Sequence, residues 1–302
     1  MKEGGKCGSI GYLKQSMIIS GNKISEDMRI ALKERVSSLC ADNKCGEISL
    51  GIVLVGDNAV SKKYIKKKKA FGESLGVKVN LFVFEPTIEE NKLEEEVMKI
   101  SSTHSGVVVQ LPLPKNLNIQ KILDAVPRQK DVDVLATTSY ELFSRGEWFL
   151  PPVVRAIKEI LNRSGVSDFE GMSALVLGQG RLVGKPITAW LKHEGANVMT
   201  AKKDTQDIAT LSRGADLIIT GVGVPGVLKL EMLPGVDDAN GGKGVIIVDA
   251  GTSEASGKLM GDADPACAEK SYIFTPVPGG VGPVTVAALF SNLVDLWSRD
   301  NL

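Results

Sequence analysis

Short apolar runs alternate with segments of helical periodicity along the first half of the chain, and this alternation constrains the fold more than any other feature. The strand-like runs lie at 48–55, 77–84 and 106–111. Helices are predicted between and around them, at 25–39, 61–75, 88–100 and 119–126. Strands separated by helices are typical of a parallel sheet covered on both faces. The first half is therefore predicted to be α/β.

The second half shows the same pattern after a break at Pro151-Pro152. A helix is predicted at 153–164 and a last helix at 283–297. Between them the predicted strands are 173–177, 197–201, 216–221, 244–249 and 272–274. The 302 residues fit two domains of roughly 150 residues each. Residues 1–16 mix glycines and lysines without periodicity, which predicts a flexible leader.

Charge and cysteine content exclude several classes of function. Lys and Arg total 36, as do Asp and Glu, so the zero net charge gives no electrostatic case for binding nucleic acid. The four cysteines lack the spacing of a metal site or a disulfide framework, which predicts no metal and a reducing compartment. The apolar stretches are strand-sized, so we expect a soluble, cytoplasmic protein without membrane contact.

The stretch Ser61–Ala70 holds the first candidate for chemistry. Ser61 is predicted to cap a helix on which Tyr64 and Lys68, four residues apart, share one face. A phenol and an amine side by side could serve catalysis. The alternative is a solvated basic helix face, since lysines also occupy most of the neighbouring positions.

A glycine-rich turn at 178–184 joins a predicted strand to a predicted helix. Glycines let the backbone approach a pyrophosphate, and the helix N-terminus supplies amide donors. The next strand ends at Lys202-Lys203, where an NAD-binding unit would carry an acidic residue, so we expect a 2′-phosphate and therefore NADP. Asp204 keeps an acid–ribose contact, and with it NAD, open as the alternative.

The loop at 275–286 contains three prolines and three glycines between a predicted strand and the last helix. Such a loop has a constrained shape, and its backbone can come close to a flat ligand. It could be a rigid connector, but its position after the last strand of a nucleotide-binding sheet favours a wall of the active cleft.

Five motifs follow one another in the chain, and together they resemble one family. They are S-x-x-Y-x-x-x-K from Ser61, V-Q-L-P-L-P from Val109, K-D-V-D from Lys130, G-x-G-x-x-V-G-x-P from Gly178 and P-V-P-G-G-V-G-P-x-T-V from Pro276. In this order and at these separations, the series resembles the methylenetetrahydrofolate dehydrogenase/methenyltetrahydrofolate cyclohydrolase family. The resemblance covers about residues 18–296.

The resemblance implies an α/β fold of two domains, an N-terminal catalytic domain and a Rossmann-like dinucleotide-binding domain. The last helix would return to the first domain. The expected boundaries are 17–150 with 284–302 for the folate-binding domain and 151–283 for the NAD(P)-binding domain. The folate site would lie in the cleft between them, and the molecule is expected to be a homodimer.

The resemblance also implies roles for individual residues. Lys68 would be the catalytic lysine, Tyr64 would pack on the folate rings, Gln110 would bind the lysine amine and Asp133 would hold the pterin. Further substrate-binding residues would be Leu111, Pro112, Pro278, Gly279 and Gly280. The cofactor would be bound by Gly178, Gln179, Gly180, Arg181, Val183, Gly184, Lys202, Lys203, Val222, Gly223 and Thr285.

The implied activity is oxidation of 5,10-methylenetetrahydrofolate to the methenyl form by hydride transfer to NADP, and then hydrolysis to 10-formyltetrahydrofolate. Like charges on Lys66, Lys67 and Lys69, together with burial, are expected to lower the pKa of Lys68 towards a useful acid/base. The alternatives are a dehydrogenase without cyclohydrolase activity, a folate- or nucleotide-binding protein without turnover, and a two-domain dehydrogenase for a small hydroxy or amino acid.

Three positions depart from the family pattern. Val134 follows Asp133 where the family usually has glycine, so the loop there is expected to differ in shape. The run 151–154 reads Pro-Pro-Val-Val instead of Pro-Cys-Thr-Pro near the nicotinamide, which loses a hydroxyl. Gln179-Gly180 replaces the usual Arg-Ser, whose arginine contacts the 2′-phosphate in many members. The residues that could take its place are Lys203, Lys202 and Arg181.

Overall fold

The computed structural model describes residues 16–41, 47–202, 204–255 and 258–301. The predicted leader, apart from Ser16, and the candidate cofactor residue Lys203 lie outside the described residues.

The first domain is built on a three-stranded parallel sheet in the order β3-β2-β4. Its strands are β2 (Ser49–Val55), β3 (Lys78–Phe84) and β4 (Gly106–Val109). Every residue of the central strand β2 is buried, as expected for a strand covered on both faces. The helices of this half are α1 (Gly21–Ala41), α2 (Ala59–Leu75), α3 (Glu90–Thr103), α4 (Ile119–Asp124) and α5 (Thr137–Ser144).

The second domain contains a six-stranded parallel sheet in the order β1-β11-β8-β7-β5-β6. Its strands are β1 (Met17–Ile18), β5 (Ser173–Leu177), β6 (Asn197–Ala201), β7 (Leu217–Thr220), β8 (Val245–Asp249) and β11 (Ser271–Phe274). The order reverses at β5, which has β6 on one side and β7 on the other. Ligands of such sheets bind beyond the carboxyl ends of the strands at this point.

Three helices and a small hairpin complete the second domain. The helices are α6 (Pro152–Arg163), α7 (Gly184–His193) and α8 (Ile208–Arg213). The antiparallel hairpin consists of β9 (Ser253–Ala255) and β10 (Lys258–Met260). Short 3-10 helices lie at Arg128–Lys130, Leu230–Met232, Val236–Asp238 and Pro265–Lys270.

The last helix, α9 (Val281–Asn301), joins the two cores. Val284 and Ala288 pack into the apolar cluster of the second domain, whereas Leu289, Phe290 and Leu293 pack into that of the first. The predicted return of this helix to the first domain is thereby confirmed. By length and composition it could span a membrane, but 67% of the apolar window is buried inside the protein, as in a core helix.

Most predicted elements are confirmed, and β5 and β6 match their predicted ranges to the residue. Three features differ. Helix α5 lies outside the helices that were predicted from the sequence. Residues 17 and 18, which the predicted boundaries give to the first domain, pair as β1 with β11 of the second sheet. The expectation that Ser61 caps α2 is wrong, because Asn58 is the capping residue and its side chain accepts a hydrogen bond from the Ser61 amide at 2.9 Å.

Candidate active site

A cavity of about 1040 Å³ lies between the two domains. The first domain lines it with residues of α1, α2 and the segments after β4, and the second with the turn before α7 and the end of β8. The proline- and glycine-rich segment 276–283 closes one side. A cavity of this size is sufficient for a drug-sized ligand, and a domain interface is its usual location.

Helix α2 brings Tyr64 and Lys68 to this cavity. The helix begins after Asn58 and ends at Gly76, whose φ of 82° is the left-handed conformation typical of a helix end. Four residues amount to about one turn, so Tyr64 and Lys68 are on the same side of the helix, as the sequence predicts. The rest of the lysine run is exposed: Lys62, Lys63, Lys66, Lys67 and Lys69.

Lys68 Nζ donates a hydrogen bond to Gln110 Oε1 at 3.1 Å, and Gln110 Nε2 donates to the Leu111 carbonyl at 2.9 Å. Gln110 thus presents its oxygen to the amine because its amide nitrogen is already bound. Burial lowers the pKa of Lys68, and the carboxylate of Asp133 opposes that effect. The expected cause was partly wrong: burial accounts for the lowered pKa, whereas the neighbouring lysines extend into solvent.

Asp133 faces the same cavity from the first domain. Burial raises its pKa, and the positive charge of Lys68 opposes this. The next residue, Val134, has a φ of 57°, so a β-branched residue adopts the left-handed conformation that favours glycine. The backbone therefore takes a conformation open to the family's glycine, although a change of shape was expected here.

Asp131 holds the other end of this loop, and sequence reasoning gave it no role. Its carboxylate accepts hydrogen bonds from the amides of Leu135 at 3.2 Å and Ala136 at 2.9 Å. Burial raises the pKa of Asp131 to about 6. The lysine–aspartate motif thus contains one aspartate that shapes the loop and one, Asp133, that faces the cavity.

The segment 276–283 lies against the start of α1 with almost no space between the backbones. A Cβ at Gly21 would lie 1.7 Å from the Gly280 carbonyl oxygen, and one at Gly280 would lie 2.6 Å from the Pro276 oxygen. Glycine is required at both positions because the clash would be with backbone. The predicted substrate residues Pro278, Gly279 and Gly280 all line the cavity, as do Leu111 and Pro112 across from them.

The glycine turn after β5 is packed against the backbone that follows β7 and against itself. A Cβ at Gly178 would lie 2.6 Å from the Gly221 oxygen, and one at Gly184 would lie 1.9 Å from the Gly178 oxygen. This is the close approach that a dinucleotide turn needs. Three predicted cofactor residues line the cavity: Arg181, Val183 and Thr285. The other predicted cofactor residues within the described ranges are not among the lining residues: Gly178, Gln179, Gly180, Gly184, Lys202, Val222 and Gly223.

Two buried aspartates that the sequence analysis missed fix the loops beside the glycine turn. Asp262 accepts hydrogen bonds from three consecutive amides, those of Val222 at 2.6 Å, Gly223 at 3.2 Å and Val224 at 2.8 Å. Asp249 ends β8, lines the cavity and accepts from Thr220 Oγ1 at 2.8 Å. An acidic residue closing an apolar strand was a usable signal for Asp249.

Two of the predicted cofactor residues bind other parts of the protein through their side chains. Arg181 donates a hydrogen bond to Gln120 of α4, across the cleft. Gln179 Nε2 donates to the Gly178 carbonyl at 2.7 Å and to Thr188 Oγ1 at 3.3 Å. The replacement of the family's Arg-Ser by Gln179-Gly180 therefore leaves a glutamine that braces its own turn.

The arrangement combines an amine with a lowered pKa, a carboxylate, a phenol and a glycine turn around one cavity. The amine can move protons, and the carboxylate can accept paired donors from an aminopyrimidinone edge. The turn suits a pyrophosphate.

Comparison with known proteins gives the same picture for both halves of the chain. Residues 19–133 match the family model of the tetrahydrofolate dehydrogenase/cyclohydrolase catalytic domain, and residues 151–301 match that of its NAD(P)-binding domain. A relative from Staphylococcus aureus, the bifunctional protein FolD, is 33% identical over 280 residues, which are 91% of this chain and 94% of the relative.

Two solved structures are also similar. The bifunctional FolD methylenetetrahydrofolate dehydrogenase/cyclohydrolase from Campylobacter jejuni is 31% identical with a TM-score of 0.87, covering 94% of this chain and 99% of that one. The Trypanosoma brucei methylenetetrahydrofolate dehydrogenase-cyclohydrolase, in complex with NADP and an inhibitor, is 27% identical with a TM-score of 0.86, covering 94% of this chain and 98% of that one.

Proposed function

The chain belongs to the tetrahydrofolate dehydrogenase/cyclohydrolase family, and we propose that Lys68, Tyr64, Gln110 and Asp133 carry its two reactions in the cavity between the domains. The enzyme oxidises 5,10-methylenetetrahydrofolate to 5,10-methenyltetrahydrofolate and hydrolyses that product to 10-formyltetrahydrofolate. The observation that carries the site assignment is the hydrogen bond from Lys68 Nζ to Gln110 Oε1 at 3.1 Å, with Asp133 acting electrostatically on the same amine.

The residues around the glycine turn fit NADP. A Cβ at Gly178 or Gly184 would clash with neighbouring backbone, whereas Gly180 has open space around it, so a pyrophosphate can approach the turn at Gly180 and at the start of α7. NADP, when bound, accepts the hydride removed from the methylene carbon. The NADP in the Trypanosoma brucei structure supports this cofactor. Lys202 and Lys203 would hold the 2′-phosphate.

In the oxidation step the protein mainly orients the substrate. Asp133 would accept two parallel donors from the pterin edge, and Tyr64 would offer a ring face to the folate. Fixing the methylene carbon against the cofactor supplies most of the catalysis, since no protein nucleophile is needed.

The hydrolysis step needs proton transfer, and we assign this transfer to Lys68. In the neutral form that burial favours, the amine accepts a proton from the water that attacks the methenyl carbon. It then returns this proton to the ring nitrogen as the bond between that nitrogen and the carbon breaks, and the remaining hydroxyl proton of the water adduct is released to solvent as the formyl group forms. Gln110 keeps the amine directed into the cavity through the reaction.

The test is a direct assay in which the protein is mixed with 5,10-methylenetetrahydrofolate and NADP. The absorbances of methenyltetrahydrofolate and of NADPH are then monitored over time. We expect NADPH to form while the methenyl product decays faster than in buffer alone. A binding protein without turnover would show neither signal, and a dehydrogenase without cyclohydrolase activity would show methenyl decay at the buffer rate.

A homodimer and a cytoplasmic location are further parts of the proposal. The family resemblance supports the dimer, and the lack of disulfide spacing among the cysteines supports a reducing compartment. Sedimentation should give twice the chain mass of 32.2 kDa, whereas a single-chain mass would contradict the dimer.

A further inference from the structure

The segment that follows β8 reaches across the cleft and contacts α2 through two pairs of side chains. Tyr64 Oη lies 3.2 Å from Thr252 Oγ1. The preceding residue of α2, Lys63, donates through Nζ to both carboxylate oxygens of Glu254, at 2.9 and 3.0 Å. Adjacent residues of one domain thus hold two residues of the other.

Lys63 and Tyr64 are adjacent in α2, and their partners Glu254 and Thr252 are two residues apart, so the two contacts hold the same pair of segments together. Thr252 immediately precedes β9 and Glu254 lies within it, and the side chains of both reach α2. The hairpin β9–β10 has only two strands, and such a hairpin has little stability of its own. Its position over the cavity, where Thr252 and Leu259 form part of the wall, therefore depends on what holds it.

We propose that Thr252 is a positioning residue for Tyr64, and that the Lys63–Glu254 pair fastens the hairpin to α2 as a wall of the folate site. Tyr64 can present one ring face to the folate only if its ring is held, and the Thr252 hydroxyl holds the phenolic end. The pair keeps Thr252 within reach of Tyr64. The inference rests on the proposed function, which places Tyr64 against the folate.

The ion pair is tested by exchanging its charges. Its side chains are 63% and 36% exposed, so Lys63→Glu is expected to raise KM for methylenetetrahydrofolate by about three- to fivefold. The effect should be smaller at high salt, because salt screens exposed charges. The double variant Lys63→Glu with Glu254→Lys should restore KM to within about twofold.

The control exchanges the charges of Lys62 and Asp57, a second exposed ion pair that involves α2. Both of its residues belong to the first domain, so this exchange should leave KM unchanged. The proposal is overturned if the control raises KM as much as Lys63→Glu does, or if the double variant is no better than Lys63→Glu alone.

The positioning role of Thr252 is tested by two substitutions. Thr252→Val keeps the shape but removes the hydroxyl, and loss of one hydrogen bond is expected to raise the folate KM about two- to tenfold. The kcat of ring opening should change less than KM, because Lys68 is untouched. Thr252→Ser restores a hydroxyl and should bring KM back. A kcat loss equal to the KM rise, or no rescue by serine, contradicts the positioning role.

A measurement without substrate separates this inference from the proposed function. Lys258 is exposed in β10, and trypsin should cut there faster when the hairpin is released. Lys63→Glu should speed this cleavage several-fold and the double variant should reverse it. If the protein has neither activity but the variants show this cleavage pattern, the proposed function is refuted and the attachment of the hairpin to α2 stands. If the enzyme is active but Lys63→Glu does not change the cleavage rate, only the attachment of the hairpin is refuted.

Discussion

Lys68 differs from the lysines around it in its surroundings. Lys66 and Lys69 stand on the same helix but extend into solvent, whereas Lys68 faces Gln110 and Asp133 within the cavity. Burial lowers the pKa of Lys68, so its neutral form exists at a lower pH than that of an exposed lysine. A basic helix face and a buried amine that faces the cavity are thus both present in one run of lysines.

Replacing Lys68 by methionine tests this amine. Lys68→Met keeps the length and apolar stem but removes the proton carrier, so cyclohydrolase activity should fall by at least about 100-fold. The decay of methenyltetrahydrofolate absorbance measures this, with the dehydrogenase rate followed in parallel. Lys66→Met on the same helix is the matched control and should stay within about twofold. Full ring opening by Lys68→Met would sink the assignment of the lysine.

The raised pKa of Asp249 predicts that the stability of the protein depends on pH. Burial raises its pKa to about 6 from an ordinary value of 3.8, so ionising it costs more in the folded protein than in the unfolded chain. Its stabilising contribution is fullest below pH 3.8 and is lost as the pH rises to about 6, a change of about 3 kcal/mol. Above that pH the cost is constant.

Comparison with Asp249→Asn isolates this effect. The variant loses hydrogen bonds at every pH, but it has no charge to bury, so its stability deficit relative to the natural chain should shrink between pH 4 and pH 6. Urea unfolding at several pH values measures the deficit. A deficit that stays constant or grows across this interval contradicts a raised pKa at Asp249.

At the scale of elements, α9 is the part on which both cores depend. Asn292, fully buried in this helix, donates through Nδ2 to the carbonyls of Val132 at 3.0 Å and Leu150 at 2.9 Å. Its Oδ1 accepts from Arg155 of α6 at 2.9 Å. One side chain thereby connects the aspartate loop, the interdomain segment and the first helix of the second domain.

Asn292→Leu preserves the volume of the side chain but leaves these three partners without their hydrogen bonds. We expect a loss of about 2–4 kcal/mol in the free energy of unfolding, because buried carbonyls without partners are costly. Ser291→Ala is the control: the Ser291 hydroxyl bonds only to the Ala287 carbonyl of the same helix among its described contacts, at 3.1 Å. Its loss should cost roughly 1 kcal/mol or less. Equal losses in the two variants would contradict the connecting role.

The sequence predicts these elements unequally well, for physical reasons. Strands β5 and β6 are predictable to the residue because each is a short, mostly apolar segment with a glycine two positions before it, and Gly178 or Lys202 directly after it. Helix α5 is not, because its short sequence begins with two threonines and has weak periodicity. The hairpin β9–β10 has three residues in each strand, which is too few for a pattern.

The residues of the candidate site are also unequally predictable from the sequence. Tyr64, Lys68, Gln110 and Asp133 are predictable because they stand in local motifs. Asp262 is not, because the amides it accepts from lie about 40 positions earlier in the chain. Its role follows only from the folding of two loops onto one carboxylate.

The balance of charges over the whole sequence limits how the cofactor is recognised. The net charge is zero, so no overall field attracts an anionic dinucleotide, and local cations must do so. Arg181 lines the cavity, but its guanidinium is bound to Gln120 of the first domain. We therefore propose Lys202, which is exposed directly after β6, and Lys203 beside it in sequence as the cations for a 2′-phosphate.

Comparison of kcat/KM for NADP and NAD tests this argument. The natural chain should prefer NADP by at least about tenfold, the worth of one hydrogen bond to a charged group. Changing Lys202 and Lys203 together to glutamine should lower kcat/KM for NADP about 10- to 100-fold and leave that for NAD nearly unchanged, because NAD has no 2′-phosphate. Lys192→Gln, which removes an exposed cation at the far end of α7, is the control and should affect neither cofactor. A natural preference for NAD would refute the role of the two lysines and point instead to Asp204 against the ribose.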